Sequence, residues 1–161
     1  MVKSPLFKNP SKGSFDFDGM FQDLLAFARE DLSASYNLIV GTDSQKDHSE
    51  IRFVTAVVIH RVSKGARFYY QTQFERPMKS LRQRMLFEAS LSLGLASRLT
   101  ERLSRLGLGL DHVEIHLDVG YNGPTSEVIK DVVGMIVGSG FDAKIKPDSF
   151  AASSVADKFT K

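Results

Sequence analysis

The chain has 161 residues, 42% of them apolar and 25% charged, with a formal net charge of +2 and no cysteine. That length suits one domain with a substantial core and is short for two. The lack of cysteine excludes disulfides, thiolate metal sites and cysteine nucleophiles. Nothing in MVKSPLFKNPSKGSF resembles a signal-peptide core and no apolar run is long enough to span a membrane, so a cytoplasmic protein is expected.

Residues 1–15, rich in proline, glycine and serine, read as a loose lead-in to a single domain over 16–161. From Phe17, FDGMFQDLLAFARE places Phe17, Met20, Phe21, Leu24, Leu25 and Phe27 or Ala28 at helical spacing, with Asp16 or Asp18 as the cap. Tyr36 to Thr42 is a buried-type strand that ends on an acid, Asp43, in LIVGTDSQ; Ile51 to Arg61 is a second, β-branched strand. Ser63, Lys64 and Gly65 supply a hairpin turn. The strand after it, RFYYQTQF, sets Phe68, Tyr70, Thr72 and Phe74 against Arg67, Tyr69, Gln71 and Gln73, which predicts that the second set faces water.

After Pro77 the period changes. Leu81, Met85, Ala89, Leu93, Ala96, Leu99 and Leu103 predict a long helix from Pro77 to about Leu106, ended by Gly107. HVEIHLDVG is then a strand with His112, Glu114, His116 and Asp118 on one side. NGPTSEVIKDVVGMIVGSG is a helix capped by Thr125 or Ser126, FDAKIKPD a short strand, and SFAASSVADKFTK a closing helix. Strands joined through helices pair in parallel. The expected fold is therefore α/β, with a mixed five-stranded sheet made of a three-strand antiparallel meander plus two parallel strands. Helices cover both faces, and one extra helix lies at the N-terminus.

Four carboxylates stand out by position. Asp43 and Asp118 both end strands, where ligands collect in open α/β sheets. Glu88 is an acid on an arginine-rich helix, at the edge of its apolar stripe, and Asp157 lies about two turns into the last helix. Each has a plain structural reading: Asp43 and Asp118 as turn caps, Glu88 as a partner of Arg84, Asp157 as a surface charge. Together they repel one another unless a cation neutralises them, and oxygen-only donors suit Mg²⁺ or Mn²⁺. Charge is uneven along the chain. Between Arg76 and Gly107 seven bases face two acids, about +5, whereas Leu108 to Lys161 has five bases and eight acids, about −3. A basic helix beside an acidic site suits a polyanion groove, and a solvated arginine face is the alternative.

The order of these acids, with VGTDSQ, HLDVGYNGPT and KPDSFAASSVADKFTK, resembles the YkuK-like bacterial family of ribonuclease H-like fold proteins, over Tyr36 to Lys161. The resemblance implies a nuclease in which two divalent ions, Mg²⁺ or Mn²⁺, about 4 Å apart, clamp a phosphodiester for attack by water. Asp43 would bridge the ions, Glu88 and Asp118 would complete one site, and Asp157 would help hold the other. Lys146 and Lys158 would approach phosphates, and Ser44 and Asn122 would position water or sugar. The implied partner is RNA, DNA or a hybrid along the basic helix 77–106. A non-catalytic nucleic-acid or protein-binding module of the same fold is the alternative. Gln45, two residues after Asp43, stands where proofreading exonucleases of this fold carry a glutamate, which disfavours that branch.

Other readings are weaker. Tyr69 and Tyr121 are candidates for base stacking. His112 and His116 are some 13 Å apart on a strand, too far to share one ion. GTDSQ is not a nucleophile elbow, and GLGLD follows a helix and precedes a strand, the wrong order for a phosphate loop.

Overall fold

The computed structural model describes residues 4–107, 112–119, 126–146 and 148–149. In chain order its elements are β1 (Phe7–Asn9), β2 (Gly13–Phe15), α1 (Phe17–Arg29), β3 (Tyr36–Lys46), β4 (Ile51–Arg61), β5 (Ala66–Glu75), α2 (Leu81–Ser104), β6 (Val113–His116), α3 (Ser126–Gly138) and β7 (Asp142–Lys144). The strands form one sheet in the order β2-β1-β5-β4-β3-β6-β7. The antiparallel meander β3-β4-β5 and the parallel additions β6 and β7 agree with the sequence. Seven strands replace the expected five, because the stretch read as lead-in folds into the hairpin β1-β2. That hairpin is fastened to β5 by Asn9 Nδ2 donating to the Phe68 carbonyl at 2.9 Å.

The caps explain where the helices begin. Asp16 accepts from the Gly19 amide at 2.7 Å and starts α1. The long helix starts later than Pro77 because Ser80 is its cap, accepting from the Gln83 amide at 3.1 Å. After the last turn, Gly107 has φ of 61°, the left-handed conformation that releases the chain. In the β4-β5 turn, Ser63 (φ 66°) and Gly65 (φ 99°) both take left-handed geometry.

Strand alternation divides the sheet into two faces. Leu38, Val40, Val57, Ile59, Tyr69, Val113 and Ile115 share one core cluster with apolar side chains of α1, α2 and α3. All three described helices therefore lie on this face, and the expected last helix falls outside the described residues. The opposite face carries Ile39, Val54, Ala56, Val58, Phe68 and Tyr70 in two smaller clusters.

The wet face predicted for β5 is corrected. Tyr69 is fully buried under α1, and its hydroxyl donates to Asp23. Burial, joined by the Asp23 carboxylate, raises its pKa strongly. It cannot stack on a nucleic-acid base. Alternation separated the two sets of residues correctly, but α1 and the β1-β2 hairpin decide which set is covered.

Candidate functional site

Strands β3 and β6 run parallel and pair through Gly41↔His116. Asp43 and Asp118 each stand two residues further along, at the carboxyl rim of β6. The strand expected to stop at Thr42 continues to Lys46, so Asp43 lies inside β3, paired with β4, whereas Asp118 lies two residues beyond the end of β6. Thr42 bonds Ser92 and Ser44 bonds Glu88, so both face α2. Alternation then sends Asp43, between them, towards the other face, where Val54 is its cross-strand partner. Asp118 is partly exposed and paired with Lys146 Nζ at 2.9 Å. Lys146 is set there by its own backbone, whose amide donates to the Val119 carbonyl at 2.8 Å and carries β7 alongside the end of β6.

Glu88 reaches the rim from the other side, on α2. Its Oε2 accepts from the Ser44 hydroxyl. Ser44, itself buried, accepts at Oγ from Arg84 Nε at 2.6 Å and at its carbonyl from Arg84 Nη2, also at 2.6 Å. Burial pushes the Glu88 carboxyl up to about 8. The Ser44 hydrogen bond and the Arg84 charge hold it down, while Asp43 and Asp118 push it further up. Three of the four predicted acids thus belong to one electrostatic neighbourhood, drawn from three elements.

The arrangement does not close on its own. Among the described residues no group of three His, Asp or Glu is arranged to hold an ion. Asp157, Asn122, Lys158 and Tyr121 lie outside the described residues. The chemistry of the donors nevertheless fits a hard divalent cation: they are carboxylate oxygens, and such an ion would offset both the burial that chiefly raises Glu88 and the smaller repulsion from Asp43 and Asp118. The Lys146 ammonium against Asp118 is a cation already stationed at the rim.

The basic helix is less open than its composition suggests. Arg82 pairs with Asp131 at 2.8 Å, Arg102 with Asp18 at 2.6 Å and Arg105 with Glu101 at 2.6 Å. Arg98 lies over the Phe17 ring at 3.9 Å, and Arg84 is committed to Ser44. Among the described residues these contacts account for five of the seven bases of that segment, all but Arg76 and Lys79.

The histidines do not form a joint site. His112 is exposed and pairs with Asp142 at 3.0 Å, whereas His116 is buried, 3.7 Å from Glu114. Burial lowers the His116 pKa, with Glu114 pulling it back. It borders a cavity of about 430 Å³ on the face opposite the helices, lined also by Asn37, Ile39, Val58 and His60.

Sequence reasoning missed the Arg84-Ser44 contact as a structural unit. Its one trace in the sequence is that Arg84 stands four residues before Glu88, hence on the same face of α2.

A sequence model described as Ribonuclease H-like matches residues 19–161. The uncharacterized protein YkuK of Bacillus subtilis (strain 168) is 37% identical over 172 aligned residues, which cover the whole of both chains. No solved structure matches. No helix among the described residues is long and apolar enough to cross a membrane.

Proposed function

The chain belongs to the YkuK-like ribonuclease H-like family, and from that premise we propose that it is a divalent-metal-dependent nuclease that hydrolyses phosphodiester bonds. The observation that carries this reading is that Ser44, the neighbour of Asp43 on β3, holds the buried Glu88 carboxyl of α2, while Asp118 follows the end of the adjacent parallel strand β6. Acids from β3, α2 and the end of β6 have no packing reason to crowd together there.

Asp43, Glu88, Asp118 and Asp157 are the side chains that would hold Mg²⁺ or Mn²⁺. When bound in a pair, the ions supply charge neutralisation at the phosphate and a lower barrier to in-line attack by water. The chain's own residues do the rest. Glu88, anchored by Ser44, fixes one side of the site. Lys146 provides a cation for a phosphate oxygen and so draws substrate towards Asp118, while Asn122 and Lys158 complete the substrate contacts; Ser44, expected from the sequence to position water or sugar, is buried and committed to Glu88 and Arg84 instead. No side-chain nucleophile is needed.

The purified protein, given RNA, DNA and hybrid substrates with Mg²⁺ or Mn²⁺, is expected to cleave at least one, and Asp43→Asn to abolish cleavage. Unchanged cleavage in Asp43→Asn overturns the assignment.

Two observations favour a second reading, a non-catalytic nucleic-acid or protein-binding module. Lys146 already neutralises Asp118, and no three described acids close around an ion. A divalent-ion titration of the melting temperature separates the two: a saturable rise supports the nuclease and its absence supports the binding module.

A further inference from the structure

We propose that Arg84 is the positioning residue of the acidic site, acting on Glu88 through the Ser44 hydroxyl. The direction of the hydrogen bonds follows from the inventory of donors. A guanidinium only donates, so Ser44 Oγ must accept from Arg84 Nε, at 2.6 Å. A serine hydroxyl has one proton and two lone pairs; Arg84 occupies one lone pair, and the proton is donated to Glu88 Oε2. Ser44 is only 5% exposed, so water offers the hydroxyl little alternative.

The second prong prevents rotation. Arg84 Nη2 holds the Ser44 carbonyl at 2.6 Å, so both donors of the fork grip one residue of β3. Arg84 and Glu88 are successive turns of the same helix. The triangle Arg84, Ser44, Glu88 therefore locks α2 to the rim and fixes which carboxylate oxygen is engaged and how the carboxylate is turned. A lysine keeps the charge but cannot reproduce the fork.

Glu88's identity as a site residue rests on the nuclease reading; the hydrogen-bonded geometry does not. The decisive measurement accordingly uses the metal-free protein. Proton NMR of the wild type should show a slowly exchanging, downfield Ser44 hydroxyl proton correlated with the Glu88 side chain. Arg84→Lys and Arg84→Gln should both lose it, while each still melts cooperatively. Persistence of that signal in Arg84→Lys overturns the proposal. A variant that fails to fold is replaced by Ser44→Ala, in which the Glu88 carboxyl ¹³C resonance must move; an unmoved resonance overturns the proposal equally.

In the active protein, Arg84→Lys is expected to lower kcat about 10- to 100-fold with KM changed far less, as for outer-shell partners of metal ligands. The double variant Arg84→Lys/Ser44→Ala should be no worse than Ser44→Ala alone, since both act through one proton. Additive losses overturn the relay. Wild-type protein that cleaves nothing with any divalent ion defeats the nuclease reading, and the NMR result still decides the clamp.

Discussion

Glu88 concentrates the chemistry of the rim in one side chain. With a folded-state pKa of about 8 against an ordinary 4.5, it keeps its proton where the unfolded chain has released it. The stability this confers is complete below about pH 4.5 and is lost as pH rises through about 8. Glu88→Gln removes the titration and keeps an acceptor for Ser44. In metal-free urea titrations the variant should match the wild type near about pH 5 and exceed it by roughly 1–3 kcal/mol near about pH 8.5. Saturating Mn²⁺ should reverse the order, because only the carboxylate gains from the ion. Parallel stability curves across that range would show that burial does not hold the proton on Glu88.

Among the elements, the β1-β2 hairpin changes the picture of the molecule most. Phe7 is 2% exposed and meets Phe17 edge-on at 6.2 Å between ring centres, so the hairpin inserts into the core shared with α1. Phe7→Ala should therefore cost about 3–4 kcal/mol, with a fall in melting temperature of roughly 8–12 °C by calorimetry, and leave the distant rim's chemistry unchanged. A loss below about 1 kcal/mol would mean that the hairpin merely lies on the surface. The sequence hid this element for a physical reason. Strands of three residues beside Pro5, Pro10 and Gly13 are too short to show a period, and their pairing with β5 is a long-range contact. By contrast, α1 and α2 were legible because long apolar stripes and a turn-ending Gly107 are local signals. The site divides the same way. Asp118 could be read from a strand end and Asp43 from the close of an apolar run, although β3 continues past it to Lys46, whereas the Arg84-Ser44 contact exists only once α2 packs on β3.

At the scale of the whole molecule, the question is how much of the positive charge is available to a polyanion. The sequence places seven bases between Arg76 and Gly107, but the fold uses Arg82, Arg84, Arg98, Arg102 and Arg105 internally. Arg102 is held most firmly, stacked on Phe21 as well as paired with Asp18, and Arg98 lies over the Phe17 ring. Arg76 and Lys79, joined by Lys146 once a phosphate replaces its partner Asp118, make about three phosphate contacts. The expected dependence of log K on log salt is then about −2 to −3, well short of the slope of about −6 that seven free bases would give. Fluorescence anisotropy with a labelled oligonucleotide across a salt series measures it. Lys146→Ala should flatten the slope by about one and Arg98→Ala should leave it alone. A slope near −6 in the wild type would instead mean that the arginine pairs of α2 open when nucleic acid binds. The exposed pairs Arg82-Asp131 and Arg105-Glu101 would be the first to open, because side chains more than half exposed give up little energy when they part.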